Sequence, residues 1–101
     1  MTVEHIEKIE IKESGKLYVI LSSSGKPDYL HIYREAAEVY WDNEAQAFTS
    51  PVPRDWTYVE WFNHIVKVTS WIGINLEVSK QTLWVNIPDE VKTEIYKNII
   101  V

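Results

Sequence analysis

A change in hydrophobic period at residues 50–53, where two prolines flank a valine, constrains the fold more than any other feature of the chain. Before it, residues 9–12 alternate and residues 16–22 are rich in β-branched and aromatic side chains, which predicts a hairpin. After it, apolar side chains recur at helical spacing over residues 56–72. Since proline is excluded from the interior of a helix, the sequence predicts a sheet-forming first half followed by a helix.

The region between this hairpin and the prolines is harder to interpret. Residues 22–28 contain the glycine, proline and aspartate of a loop, and residues 29–33 alternate like a strand. Residues 34–48 carry alanine and glutamate, which favour a helix, and also aromatic residues beside the turn formers at 42–44, which favour a hairpin. We predict a hairpin, and the helix remains the alternative.

The helix over residues 56–72 has boundary signals at both ends. Asp55 is the predicted N-cap, and Gly73 follows the helix where a left-handed C-cap residue belongs. Projection at about 100° per residue gives one apolar side. Its members are Tyr58, Trp61, Phe62, Ile65, Val68, Thr69 and Ile72, flanked by Val59 and Val66.

The C-terminal part of the chain predicts two more strands and a second helix. Residues 74–79 and 82–87 alternate around a turn, which predicts another hairpin, and residues 88–100 form a one-sided apolar stripe beginning at Pro88. The whole chain, residues 1–101, is therefore predicted to be one α+β domain. We expect a mainly antiparallel sheet of five to seven strands with both helices packed on one face. The predicted outward strand positions include Tyr18, His31, Tyr33 and Trp84.

Composition excludes several classes of protein. The chain lacks cysteine, so it has no disulfides, thiolate metal ligands or cysteine nucleophile, and its three histidines lie in no metal-binding spacing. Three glycines cannot build a phosphate-cradling or dinucleotide-binding loop. With 10 Lys+Arg against 15 Asp+Glu, a nucleic-acid binder is not expected. The absence of a signal peptide and of a long apolar run predicts a soluble cytoplasmic protein without membrane contact.

No catalytic motif stands out, and we expect neither an enzyme nor a bound cofactor or metal. The four carboxylates Glu35, Glu38, Asp42 and Glu44 cluster in sequence and could divide acid and base roles in a pocket. They surround a predicted turn, however, where carboxylates are usually solvated and bond the backbone.

The polar side of the first helix is the candidate binding site. It carries a tryptophan at each end, and an exposed indole is typical of a binding hot spot because it offers a rigid apolar body with an N–H donor. The predicted partner-binding face consists of Trp56, Glu60, His64, Lys67 and Trp71. The structural alternative is that Trp56 folds back on residues 51–53 and Trp71 packs inward beyond the helix end. Trp61 is expected in the core, and Trp41 and Trp84 are expected to be half-buried.

Two short stretches resemble known families. Residues 39–48 (VYWDNEAQAF) resemble the second hairpin of HicB-type antitoxin domains, although residues 50–55 replace their glycine-rich continuation. Residues 84–91 (WVNIPDEV) resemble the strand and first helix of ribbon-helix-helix proteins, although the second helix of that fold is missing. These resemblances imply a small regulatory or antitoxin-like protein and carry no site residue across.

The leading hypothesis is a non-catalytic protein-interaction domain of an immunity, antitoxin or inhibitor type. Such an acidic protein can be steered to a basic partner. The first alternative is a small-ligand-binding protein or uncharacterised enzyme with an aromatic pocket between sheet and helix. The second is a homodimer that uses its exposed aromatic face for self-association.

Overall fold

The computed structural model describes residues 2–22, Tyr29, Ile32 and 38–99. This part of the chain forms a six-stranded sheet and two helices whose first and last residues are defined. The elements are β1 Thr2–Ile11, β2 Leu17–Leu21, β3 Tyr40–Asp42, β4 Ala47–Thr49, α1 Tyr58–Trp71, β5 Ile74–Glu77, β6 Leu83–Val85 and α2 Asp89–Ile99. No helix within these described ranges is long and apolar enough to cross a bilayer.

The sheet is mixed, with strand order β3-β4-β2-β1-β5 and β6 also beside β1. The pairs β1–β2, β2–β4 and β3–β4 are antiparallel, and of these β1–β2 and β3–β4 are the predicted hairpins. The ten-residue strand β1 has an irregularity between Ile6 and Lys8. Its first part pairs in parallel with β5, and its second part pairs in parallel with β6.

The predicted hairpin of residues 74–79 with 82–87 is therefore wrong. A turn does form, with the Thr82 amide donating to the Ser79 carbonyl at 3.1 Å. The buried Thr82 hydroxyl then accepts from the Ser79 amide at 3.0 Å and donates to the Ile6 carbonyl at 2.7 Å. This side chain fixes the turn to the irregular point of β1, so β5 and β6 extend along β1 instead of along each other.

In the central region, residues 29–49, the predicted hairpin is confirmed and the predicted strand over 29–33 is corrected. Residues 40–49 form the predicted hairpin, and Asp42 Oδ1 accepts from the amides of Glu44 and Ala45 at 3.0 and 3.1 Å. The strand predicted over 29–33 is wrong at Tyr29 and Ile32, which have helical backbone. The remaining residues of that strand, with His31 and Tyr33, and residues 34–37 lie outside the described residues.

One hydrophobic core joins the sheet to both helices. A cross-strand row runs through its centre, with register partners Trp41–Phe48, Phe48–Val19, Val19–Ile9 and Ile9–Trp84. Helix α1 contributes Trp61, Phe62, Ile65 and Val68, and α2 contributes Ile95. Trp84 therefore belongs to the core-facing row, where it contacts Tyr96 with ring centroids 5.3 Å apart, and its predicted outward position is wrong. Trp41 is more buried than expected, at 7% exposed.

Both ends of helix α1 are well defined, and one differs from prediction. Thr57, rather than Asp55, is the N-cap, and the helix begins at Tyr58 instead of 56. At the other end, Gly73 has φ +85°, which confirms the predicted left-handed residue after the helix. Helix α2 begins at Asp89, directly after Pro88, whose carbonyl accepts from the Lys92 amide at 3.0 Å.

Candidate binding groove beside helix α1

Three aromatic rings cluster at the start of helix α1. The centroids of Trp56 and Trp61 lie 4.8 Å apart, and His64 lies 5.0 Å from Trp56 and 5.6 Å from Trp61. Trp61 and His64 are three residues apart on the helix, so their side chains are neighbours. Trp61 is 6% exposed and Trp56 is 42% exposed, so the cluster runs from the core to the surface.

A capping box holds the helix start beneath this cluster. Thr57 Oγ1 accepts from the Glu60 amide at 3.2 Å, and Glu60 Oε1 accepts from the Thr57 amide at 3.1 Å. Each side chain satisfies an amide that the helix itself leaves without a partner. Trp56, directly before the cap, is thereby fixed to a defined helix terminus. Glu60, predicted as a binding residue, also has this structural role.

Two neighbouring cavities share Trp56 and His64 in their linings, and together we call them the α1 groove. The larger has a volume of about 590 Å³, and its described lining consists of Glu38, Pro51, Val52, Arg54, Asp55, Trp56, Trp61 and His64. The smaller has a volume of about 310 Å³ and is lined by Trp56, Glu60, Asn63, His64 and Lys67. Because both linings include Trp56 and His64, the two cavities adjoin at these residues.

The α1 groove brings together four of the five residues of the predicted partner-binding face: Trp56, Glu60, His64 and Lys67. Trp71 is 59% exposed but lines neither cavity. Lys67 connects the groove to Trp71, because it lines the smaller cavity and its Nζ lies 5.5 Å from the centre of the Trp71 ring. Trp71 therefore does not pack inward, and it lies on a surface adjoining the groove rather than in it.

Sequence reasoning missed the wall opposite the helix, which Pro51, Val52, Arg54, Asp55 and Glu38 supply. The sequence predicts the prolines as the end of the sheet, and it places Trp56 against residues 51–53 only in the structural alternative to a binding face. Glu38 precedes the hairpin and has a left-handed backbone with φ +69°, which no local pattern reveals for a glutamate. The Thr57-x-x-Glu60 spacing, by contrast, is a capping-box signature in the sequence and could have located the helix start.

The chemistry of the groove combines aromatic faces with mixed charge. The larger cavity carries two carboxylates, Glu38 and Asp55, and one guanidinium, Arg54. The Trp61 indole N–H is buried without a hydrogen-bond acceptor among the residues that the structure describes. Over the same residues, no group of three histidine or acidic side chains is arranged to hold a metal ion. The arrangement can hold a ligand by ring contact and direct it by charge.

The fold and the groove together define a class of protein: a small α+β domain with a groove of about 590 and 310 Å³ cavities beside one helix. The chain belongs to the Integron Cassette Protein Hfx_Cass5 family, whose model matches residues 4–82. It is similar to a solved structure from the mobile metagenome of North West Arm Sewage Outfall, the integron cassette protein Hfx_Cass5. Sequence identity is 35%, coverage is 100% of this chain and 99% of that chain, and the TM-score is 0.47. Comparison with curated proteins gives no match. The matched family is neither of the two that the short stretches resemble.

Proposed function

We propose that the protein is a non-catalytic, cytoplasmic binding module that holds a segment of a partner protein in the α1 groove. The observation that carries this proposal is the position of Trp56. Its side chain is 42% exposed, touches two neighbouring rings and borders both cavities. Partly exposed tryptophans on a rigid support are the residues that dominate protein interfaces.

The shape of the groove supports a chain segment as the occupant. A compact molecule would fill one cavity, whereas a longer ligand can enter both, because Trp56 and His64 line the two cavities alike. A peptide can pass these residues and place a side chain in each cavity. The polar groups around it, including Glu60 and Lys67, can bond the peptide backbone at the rim.

The test is selection of a random peptide library displayed on phage against the immobilised protein. Trp56→Ala and Trp71→Ala are a matched pair, because both remove an exposed indole and only Trp56 lines the groove. We expect selected peptides to lose binding to Trp56→Ala and to retain it with Trp71→Ala. Equal retention by both variants, or failure to select any peptide, contradicts the proposal.

A small organic ligand is the second candidate, because the larger cavity of about 590 Å³ is the size of many ligand pockets. Tryptophan fluorescence and thermal shifts with a panel of metabolites distinguish the two candidates. A metabolite that binds wild type, loses affinity in Trp56→Ala and displaces no selected peptide favours the small organic ligand.

Light scattering at several protein concentrations tests self-association. A dimer that Trp56→Ala dissociates assigns the groove to a second copy of the chain.

A further inference from the structure

The larger cavity of the α1 groove has the features of a site for a cationic side chain. The Trp56 indole forms part of its wall, and Glu38 and Asp55 line the same cavity. Neither carboxylate takes part in an ion pair within the described part of the chain, where the pairs are His5–Glu77, Lys8–Glu10, Lys12–Glu10 and Lys97–Glu94. Among the described residues that line this cavity, two carboxylates accompany one guanidinium, that of Arg54.

Other aromatic rings of the protein already carry a cation from the chain itself. Lysine Nζ atoms lie 5.0 Å from the Tyr18 ring, 5.5 Å from the Trp71 ring and 5.6 Å from the Trp84 ring. No lysine or arginine among the described residues lies over Trp56 in this way. Trp56 is 42% exposed beside its contacts with Trp61 and His64, and a tryptophan face is the best aromatic surface for a cation.

Charge also favours a basic occupant over a second copy of this chain. The formal net charge is −5, so two copies repel each other at long range, whereas a basic segment is attracted. Arginine fits best, because its planar guanidinium stacks on an indole and bonds a carboxylate with two N–H groups.

We propose that the larger cavity receives an arginine or lysine side chain from a basic segment of the partner, with the cation on the Trp56 face and beside Glu38 and Asp55. This inference rests on the proposed function and specifies the chemistry of its partner. It predicts that peptides selected on the protein share a basic residue at one position.

The experiment compares a selected peptide with the same peptide carrying citrulline at that position, since citrulline keeps the shape of arginine without its charge. By calorimetry we expect citrulline to weaken binding by about tenfold. Glu38→Gln and Asp55→Asn should each weaken binding of the arginine peptide and leave that of the citrulline peptide nearly unchanged. Thr93→Ala on helix α2 is the control substitution away from the groove.

The outcomes separate this inference from the proposed function. Selected peptides without a basic residue, or equal affinity of the arginine and citrulline peptides, overturn the cationic site and leave the peptide groove intact. A common basic residue whose binding does not depend on Trp56, Glu38 or Asp55 also overturns it. If no peptide is selected, the proposed function fails, and the cationic site fails with it. Circular dichroism of each variant shows whether a lost affinity reflects lost folding.

Discussion

Removal of the Thr57 hydroxyl tests the structure of the groove at its base. Thr57→Ala deletes the hydroxyl that accepts the 3.2 Å bond from the Glu60 amide. The reciprocal 3.1 Å bond from the Thr57 amide to Glu60 Oε1 then stands alone at the helix start. Loss of an N-cap side chain costs about 1 kcal/mol, and the reciprocal bond of the capping box is weakened as well, so we expect a loss of about 1–1.5 kcal/mol. For a domain of this size that lowers Tm by about 4–10 °C.

Urea unfolding followed by far-ultraviolet circular dichroism measures the change, and an unaltered m-value shows that the native state is otherwise intact. Asp55→Ala is the matched control, because Asp55 is exposed and caps nothing in the structure, and we expect a change within about 0.5 kcal/mol. Thr57→Ser should restore most of the stability, since it keeps the hydroxyl. If Asp55→Ala destabilises as much as Thr57→Ala, the helix start has been assigned wrongly.

Three further predictions concern the framework. Tyr29→Phe removes the 2.7 Å bond to the buried Glu4 carboxylate and should cost about 1.5–3 kcal/mol at neutral pH. Because burial, with the Glu4 hydrogen bond and charge, raises the Tyr29 pKa, its stabilisation is lost as pH rises above about 10, so urea titrations should show the gap to wild type narrowing there. Gly73→Ala should cost about 1–2 kcal/mol from its left-handed backbone alone, since a Cβ there meets nothing within 4 Å; a thermal melt unchanged from wild type contradicts this. Ile95→Ala empties a fully buried position and should cost about 2–5 kcal/mol in chemical unfolding, against less than about 0.5 kcal/mol for the neighbouring Glu94→Ala.

The sequence predicts elements better than it predicts their partners. Alternation in residues 74–79 and 82–87 identified two strands, because side-chain period depends only on the local chain. Their parallel pairing with β1 depends on the irregularity after Ile6 and on the Thr82 hydroxyl bond to the Ile6 carbonyl. The turn between the two strands favours a hairpin in the sequence. The bond from the Thr82 hydroxyl to the Ile6 carbonyl, which directs both strands to β1, is visible only in the three-dimensional structure.

The candidate site was predictable where it lies on one helix. Helical geometry alone brings Glu60, His64 and Lys67 to one side. The rest of the described lining includes Glu38, which is distant in sequence, and the proline segment, which the sequence places near Trp56 only in the structural alternative to a binding face. Trp71 shares the helix side but lies beyond the groove, because periodicity gives direction around the helix axis and not the position of the neighbouring loop.

The most direct test of the groove is a two-dimensional ¹H–¹⁵N spectrum of the protein titrated with a selected basic peptide. Each of the five tryptophans contributes one indole N–H signal, and single Trp→Phe variants assign them. Binding in the α1 groove predicts that the Trp56 and Trp61 signals shift most as peptide is added, that the Trp71 signal shifts less, through Lys67, and that the Trp41 signal stays in place. Shifts centred on Trp71, with Trp56 unmoved, would contradict the groove as the binding site.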